Sequence, residues 1–466
     1  MRSLLEFLSH HTGFRLSYDR DAALTDGIRR AIKRAGISDV ADYLSHIQND
    51  QAAFDDLLAE VTVGETYFFR EPDQLEALRK VILPEILSRK GRDHLVRIWS
   101  SACSTGEEPW SLAMACRTAG VGDQCRILAT DISRESLQKA ERGTYRQWSL
   151  RGPSRELTGS LLHQAVGGWQ IDDSLRKHVN FEYLNLALDA YPSLATGTWG
   201  CDVIFCRNVL IYFDQKSIEA VVRRLYDSLS PGGWLVLAST DPSVTQMAPF
   251  ELVEAGACFV YRRPLVTASP SPTVTVETQP FAFDEWVFDD EDPGLTDSTI
   301  VASGDVAIQA AQEALHEGDF ERVRELTEAR IDHPFATALL IRALAGQDTV
   351  KAEQACAVAV DRHPAFEELQ YLHSILLLDL NRYREAEQAA RKTLFLRSDL
   401  AIGHFTLGMI LQRSGRTQDA GRSFRNAARI CQRLPPETVI PLSDGEQAGR
   451  LLQMASQHLA MIGAGE

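Results

Sequence analysis

The chain has 466 residues, 44% of them hydrophobic and 24% charged, and carries a formal charge of −16 at pH 7. A chain of this length outgrows a single core, so two or three domains are expected. No nucleic-acid partner is expected, though the distribution of the acidity matters more than its sum, since eight of the acids belong to one segment and the remainder is only mildly acidic. No apolar run approaches the roughly 18 residues that cross a bilayer, and the opening segment fits neither a signal nor a transit peptide, so a cytoplasmic protein is expected.

Residues 1–84 read as a helical subdomain. Leu4, Leu5, Phe7 and Leu8 share one face, Ile28, Ile32 and Ile37 mark a second helix, and Tyr43, Leu44, Ile47, Phe54, Leu57, Leu58 and Val61 recur at helical spacing. On the second helix Arg29, Arg30, Lys33 and Arg34 fall on one side. This basic stripe is either a solvated face or a docking surface for an acidic partner.

From 85 to 263 strands and helices alternate, the pattern of a parallel sheet covered on both sides. The expected strands are 95–101, 126–130, 201–206 and 233–239, with shorter runs near 250–253 and 257–262 closing the sheet. Residues 143–185, which include Gly167, Gly168 and the alternating run Val179–Tyr183, read as an inserted subdomain with a small antiparallel hairpin. In the first strand Val96 and Ile98 alternate with Arg97. The strand breaks at Gly106, and a helix starts on Glu107, Glu108 and Pro109. A pyrophosphate site presents bare backbone N–H groups at such a turn, and two acids would repel the phosphates. A cofactor with a positive sulfur and free ribose hydroxyls is not repelled. The turn therefore points to S-adenosylmethionine rather than NAD or ATP.

Asp131 ends the next strand where a doubly wound fold places its ribose-binding acid; the competing role is a helix N-terminal acid ahead of Ser133. The run Cys201–Phe213 carries a buried strand to Arg207 and Asn208 at the ligand-binding edge of the sheet, which turns Asn208 and Tyr212 toward the cofactor. The Asn-Pro-Pro-Tyr type of motif found in methyltransferases acting on amino groups is absent. A carboxylate acceptor needs no such motif and no poised His, because it ionises near pH ~4.3 and is already nucleophilic at neutral pH.

Residues 264–304 hold five prolines and eight acids (Glu277, Asp284, Glu285, Asp289, Asp290, Glu291, Asp292 and Asp297) and read as a linker. Phe281, Phe283, Trp286 and Phe288 lie among the acids, as sticky residues of a tether or as a segment that docks on a basic groove. Beyond 305 the chain is helical and repetitive. Ala352, Ala386 and Ala420 are spaced 34 residues apart, as are Tyr371 with Phe405, Ser374 with Gly408, Leu377 with Leu411 and Ala390 with Phe424. The segment around Gly318–Val323 reads as a shortened upstream unit and 446–462 as a capping helix. This period resembles tetratricopeptide repeats, which usually bind proteins. The eight cysteines form no Cys-x-x-Cys pair and no zinc-finger spacing, so reduced, buried thiols and no metal are expected.

Six ordered segments over residues 1–263 resemble the CheR-type chemoreceptor methyltransferases: Glu65–Glu71, Ser104–Ser111, Ala129–Ile132, Gly143–Arg146, Asn185–Leu186 and Phe205–Phe213. The resemblance implies a Rossmann-like α/β fold with an N-terminal helical subdomain and a small β insertion, followed by the all-α repeats. It further implies methyl transfer from S-adenosylmethionine to receptor glutamates, leaving S-adenosylhomocysteine. By matching position, Thr66 and Arg70 approach the methionine part, with Arg70 near the reacting centre. Ala102 and Ile132 belong to the cofactor site, Glu107 meets the amino group and Asp131 the ribose. Asn185 and Leu186 flank the adenine, Asn208 meets the methionyl end, and Tyr212 stands at the methyl-transfer centre. The stripe of Arg29, Arg30, Lys33 and Arg34 becomes the docking site for receptor helices. The enzyme is then expected as a monomer that reaches the membrane only through its receptors, with a further protein partner on the repeats.

Two positions depart from the family pattern. Gly64 stands where Asn is usual, and Ala238–Pro242 replaces a His-Ser-Glu stretch. The competing readings are a repeat-based signalling scaffold that binds cofactor without reacting, and a methyltransferase for small carboxylic acids.

Overall fold

The computed structural model describes residues 1–16, 22–62, 64–151, 161–165, 167–265, 306–328, 330 and 332–463. The expected linker lies almost wholly outside the described residues. Helices Arg2–Thr12, Ala22–Arg34, Val40–Asn49 and Gln51–Val61 open the chain. Asp39 and Asp50 start the third and fourth of these by accepting backbone N–H groups of the first turn. Leu4, Leu8, Ile28, Tyr43 and Leu57 close a separate small core. The basic stripe is present, and three of its four side chains are paired with acids. Arg30 bonds Glu60 at 2.7 Å, Arg34 pairs with Asp56 at 3.1 Å and with Glu60, and Arg29 pairs with Asp26 at 3.2 Å. Lys33 is the one member with no ion pair among the described residues.

The strands are β1 Val96–Ser101, β2 Cys125–Asp131, β3 Thr144–Tyr145, β4 Leu162–Ala165, β5 Gly168–Ile171, β6 Val179–Tyr183, β7 Cys201–Cys206, β8 Leu229–Val236, β9 Glu251–Ala255 and β10 Cys258–Arg262. Seven form one mixed sheet in the order β6-β2-β1-β7-β8-β10-β9, parallel from β6 to β8 and antiparallel beyond. The insertion forms its own antiparallel sheet β3-β5-β4.

The run Val179–Tyr183 does not belong to that insertion. It pairs with β2 as the edge of the main sheet, because Val179 and Phe181 join the core beside Trp110 while Asn180 and Glu182 face helices from the far end of the chain. The strand expected at 233–239 runs instead from Leu229 to Val236. It stops there because the next polar groups leave the ladder: the Leu237 carbonyl accepts from Gln74 at 2.8 Å and the Ala238 N–H donates to Asp241 at 3.0 Å. Of the eight cysteines, all free, only Cys258 is not buried.

Nine helices run from Val306–Glu317 to Ala448–Gly463 among the described residues. The 34-residue period is a packing period. Ala352, Ala386 and Ala420 are wholly buried, and a Cβ on Gly408 would meet the Phe424 ring at 2.6 Å, so a small residue on one helix admits a large one from the next. These helices pack on the sheet. Arg97 is buried between Val96 and Ile98 along the strand, and its guanidinium lies 3.4 Å from Asp379 in helix Glu367–Asp379. Ile375, Leu378 and Met409 line one cleft together with Ile98, Leu128 and Asn180.

A second cleft at this junction holds Glu141, Glu182, Arg413 and His458. Burial, and after it the Glu182 charge, pushes the Glu141 carboxyl up to about 7. The folded state then favours the neutral acid, so its contribution is full below the unfolded carboxylate range and is lost as pH rises through about 7. Glu141→Gln stays neutral throughout. It should raise the melting temperature at pH 8, with a much smaller effect at pH 5, in scanning calorimetry.

Candidate active site

β1, β2 and β7 end side by side, and the loops that follow them are forced into unusual backbone. Ala102, Ser104 and Asn208 have φ of 57°, 50° and 58°, the left-handed region that costs a non-glycine residue of order 1 kcal/mol or more. Side chains hold these loops. The Asp131 carboxylate accepts the Ser104 N–H at 2.7 Å and the Ser133 N–H at 2.8 Å, so it ties the β1 loop to the start of helix Arg134–Arg142. Asp241 accepts the Asn208 N–H at 2.7 Å, and the Thr240 hydroxyl accepts from the Asn208 amide at 2.8 Å. The departure at 238–242 thus still supplies a carboxylate that supports Asn208. Gly106, with φ of 93°, lies so close to its neighbours that a Cβ would come within 2.6 Å of Ala140.

A cavity of about 140 Å³ opens between these loops. It brings together Ala102, Asp131, Ile132, Asn185, Leu186, Asn208 and Tyr212, seven of the residues expected from sequence. Gly64 and Ser104 join its wall. The N-terminal helical part supplies a cover of Phe14, Arg15 and Leu16: the Arg15 N–H donates to the Tyr212 carbonyl at 2.8 Å, and Phe14 bridges to Phe213. Asn185 fixes the same junction by donating its amide to the His11 carbonyl at 3.0 Å. Nothing local in 12–16 announces this role, since it depends on contacts some two hundred residues distant.

Thr66, Arg70 and Glu107 do not line the cavity. Arg70 sits on the loop that starts at Gly64, flanked by Phe69 and Glu71, both left-handed, and its guanidinium donates to the Glu65 carbonyl at 2.8 Å. Arg207, next to Asn208, donates to the Arg70 carbonyl at 2.7 Å and so holds that loop beside the cavity. The Glu107 carboxylate is buried, accepting the Thr105 hydroxyl at 2.6 Å and the Ser149 hydroxyl at 2.8 Å. Glu108 does more than begin a helix. It pairs with Arg207 at 2.6 Å and accepts from Ser100 at 2.6 Å, a link from helix Glu107–Thr118 to β1 and to the loop that follows β7.

Burial raises the carboxyl groups of Glu107 and Asp131; for Asp131 the N–H groups of Ser133 and Ser104 work against that rise. The Ser104 hydroxyl lies buried in the wall with no hydrogen-bond partner, an unsatisfied group that a bound ligand can meet. One acid able to take two ribose hydroxyls, one free hydroxyl and apolar walls from Ile132, Leu184, Leu186 and Phe213 fit an adenosine-bearing cofactor. No cluster able to hold a metal ion occurs among the described residues.

Residues 64–258 match the family model described as CheR methyltransferase, SAM binding domain, and residues 1–62 match CheR methyltransferase, all-alpha domain. Chemotaxis protein methyltransferase 1 of Pseudomonas aeruginosa is 31% identical over 269 residues, covering 55% of this chain and 94% of that protein. The chain belongs to the CheR methyltransferase family.

Two further relatives match over similar stretches. Chemotaxis protein methyltransferase 2 of Vibrio cholerae is 37% identical over 198 residues, 41% of this chain and 67% of the relative. The probable biofilm formation methyltransferase WspC of Pseudomonas aeruginosa is 30% identical over 257 residues, 55% of this chain and 60% of the relative. The CheR family's cofactor is S-adenosylmethionine, in agreement with the acids at the first turn. No helix among the described residues is long and apolar enough to cross a membrane.

Proposed function

We propose that this CheR methyltransferase methylates glutamate side chains of a methyl-accepting chemoreceptor, and that its C-terminal helices are tetratricopeptide repeats that recruit a protein partner or regulate the enzyme. One observation carries the choice of acceptor: no described residue lining the cavity is a His, Lys or Cys, and the one carboxylate there, Asp131, is engaged by the Ser104 and Ser133 N–H groups and assigned to the ribose, so no base is left for the acceptor. An acceptor that must lose a proton during transfer is poorly served there. A glutamate has lost its proton before it arrives.

Asp131 takes the ribose hydroxyls, Asn185 and Leu186 flank the adenine, Ala102 and Ile132 complete that wall, and Asn208 meets the methionyl end. Thr66 and Arg70 close over the methionine part from the loop that Arg207 anchors. Glu107 meets the amino group with the acceptor capacity its carboxylate keeps beside the Thr105 and Ser149 hydroxyls. When bound, S-adenosylmethionine supplies an electrophilic methyl on a sulfonium. The protein's own task is orientation. Tyr212 and Arg70 direct the acceptor carboxylate in line, and the cover formed by Phe14 and Leu16 keeps water away, where orientation can contribute several kcal/mol. The names of the relatives support chemoreceptors as substrates.

Incubation with tritiated S-adenosylmethionine and receptor-containing membranes tests this. The expected result is label on the receptor that alkali releases as methanol. Turnover of a free acid with receptors unlabelled, or cofactor binding with no transfer at all, would overturn it.

A further inference from the structure

Leu184, Asn185 and Leu186 form one wall of the cofactor cavity, and the segment they belong to is held by the C-terminal helices at three points. Ahead of the wall, Glu182 meets His458 at 3.2 Å and Arg413 at 3.6 Å. Behind it, Asp189 pairs with Arg450 of helix Ala448–Gly463. Farther on, Asp444, itself paired with Arg342, accepts the Leu194 N–H at 3.1 Å and the Ser193 hydroxyl at 3.3 Å.

Asp189 is the member that reaches the wall. One carboxylate oxygen faces Arg450 and the other accepts the Asn185 N–H at 2.6 Å, while the Asp189 N–H returns to the Asn185 carbonyl at 2.9 Å. The Asp189 and Arg450 side chains are only 16% and 25% exposed, so solvent does not readily replace either partner. From the opposite side Arg224 donates to the carbonyls of Leu186, Ala187 and Asp189 at 2.8, 2.9 and 2.7 Å. Loss of Arg450 therefore loosens the loop without dissolving it.

We infer that Arg450 is a positioning residue for the cofactor site: by directing the Asp189 carboxylate it fixes the Asn185–Leu186 wall, so that cofactor affinity depends on the last helix being seated against the sheet. A partner that draws the C-terminal helices off the sheet then lowers cofactor occupancy without touching the cavity. This device concerns the cofactor alone and stands whatever the methyl acceptor proves to be.

Calorimetric titration of the full chain with S-adenosylhomocysteine, which needs no acceptor, tests it. Arg450→Ala should weaken binding roughly 3- to 30-fold, and in turnover should raise KM for S-adenosylmethionine with little change in kcat. Arg450→Lys should restore most of the affinity. In an Asp189→Asn background, Arg450→Ala should add little, because the two act as one unit. Thermal melts of each variant separate this from unfolding; if Arg450→Ala does not fold, the Arg450→Lys and Asp189→Asn titrations still carry the test, each expected to weaken binding, Lys less than Asn. Unchanged affinity in the folded variants, or fully additive losses in the double variant, would overturn the inference.

Discussion

Asp131→Ala should weaken the binding of S-adenosylhomocysteine roughly 100- to 10,000-fold, the size expected when two hydrogen bonds to a charged group are removed at about 1.5–3 kcal/mol each. The carboxylate is placed to act twice. It orders the cavity by accepting the Ser104 and Ser133 N–H groups, and it remains the acid in the cavity wall suited to a ribose diol. Asp131→Asn keeps one acceptor oxygen and should fall between the parent and the alanine variant. Because burial raises this carboxyl, protonation sets in at higher pH than for an ordinary aspartate, and affinity should fall as acid neutralises it. Calorimetric titration with S-adenosylhomocysteine measures the effect, and a loss of less than threefold in a folded variant would remove Asp131 from the ribose site.

Glu108→Ala should destabilise the fold by about 3–5 kcal/mol, because it strands a buried guanidinium. The Arg207 side chain is 4% exposed, and its remaining partners are the Arg70 carbonyl and the Gln74 side chain. Those two contacts place the loss toward the lower end of that range. The damage should also reach activity, since Arg207 ties the Arg70 loop to the loop after β7 that carries Asn208. The double variant Glu108→Gln, Arg207→Met should recover much of the stability and none of the loop tether. Glu107→Ala should cost less stability, because the Thr105 and Ser149 hydroxyls can turn to other acceptors. Urea midpoints for the three variants decide this; equal losses for Glu107→Ala and Glu108→Ala would show that the ion pair is not what holds the turn.

The roles of the two neighbouring acids show where sequence reasoning reached its limit. Both suggested a site hostile to phosphate, and the cofactor inferred from them agrees with the family match. Which acid faced what was not legible, since adjacent helical residues point about 100° apart and the partner of Glu108 lies 99 residues away. The same limit applied to the basic stripe. Its spacing on one helix face was plain, but its neutralisers Asp56 and Glu60 sit on another helix, at an angle no periodicity encodes. The edge strand Val179–Tyr183 carried a clear alternating pattern, yet the same pattern suits an insertion hairpin, and only pairing with β2 assigned it.

By itself the sequence determined what is written within a dozen residues or in a fixed repeat: the strand-turn-helix at Gly106, the acid closing β2, the 34-residue helical period, and the family motifs. Backbone geometry and hydrophobic periodicity are local, and they leave their mark in order and spacing. The tertiary structure alone decided that residues 14–16 cover the cavity, that Asp241 supports Asn208, that Arg97 is met by Asp379, and that Arg450 pairs with Asp189, which accepts the Asn185 N–H. Each of these joins charges or backbone groups that are distant along the chain. Their partners were settled by how the sheet, the N-terminal helices and the C-terminal helices pack, because a buried polar group takes the partner that packing brings to it.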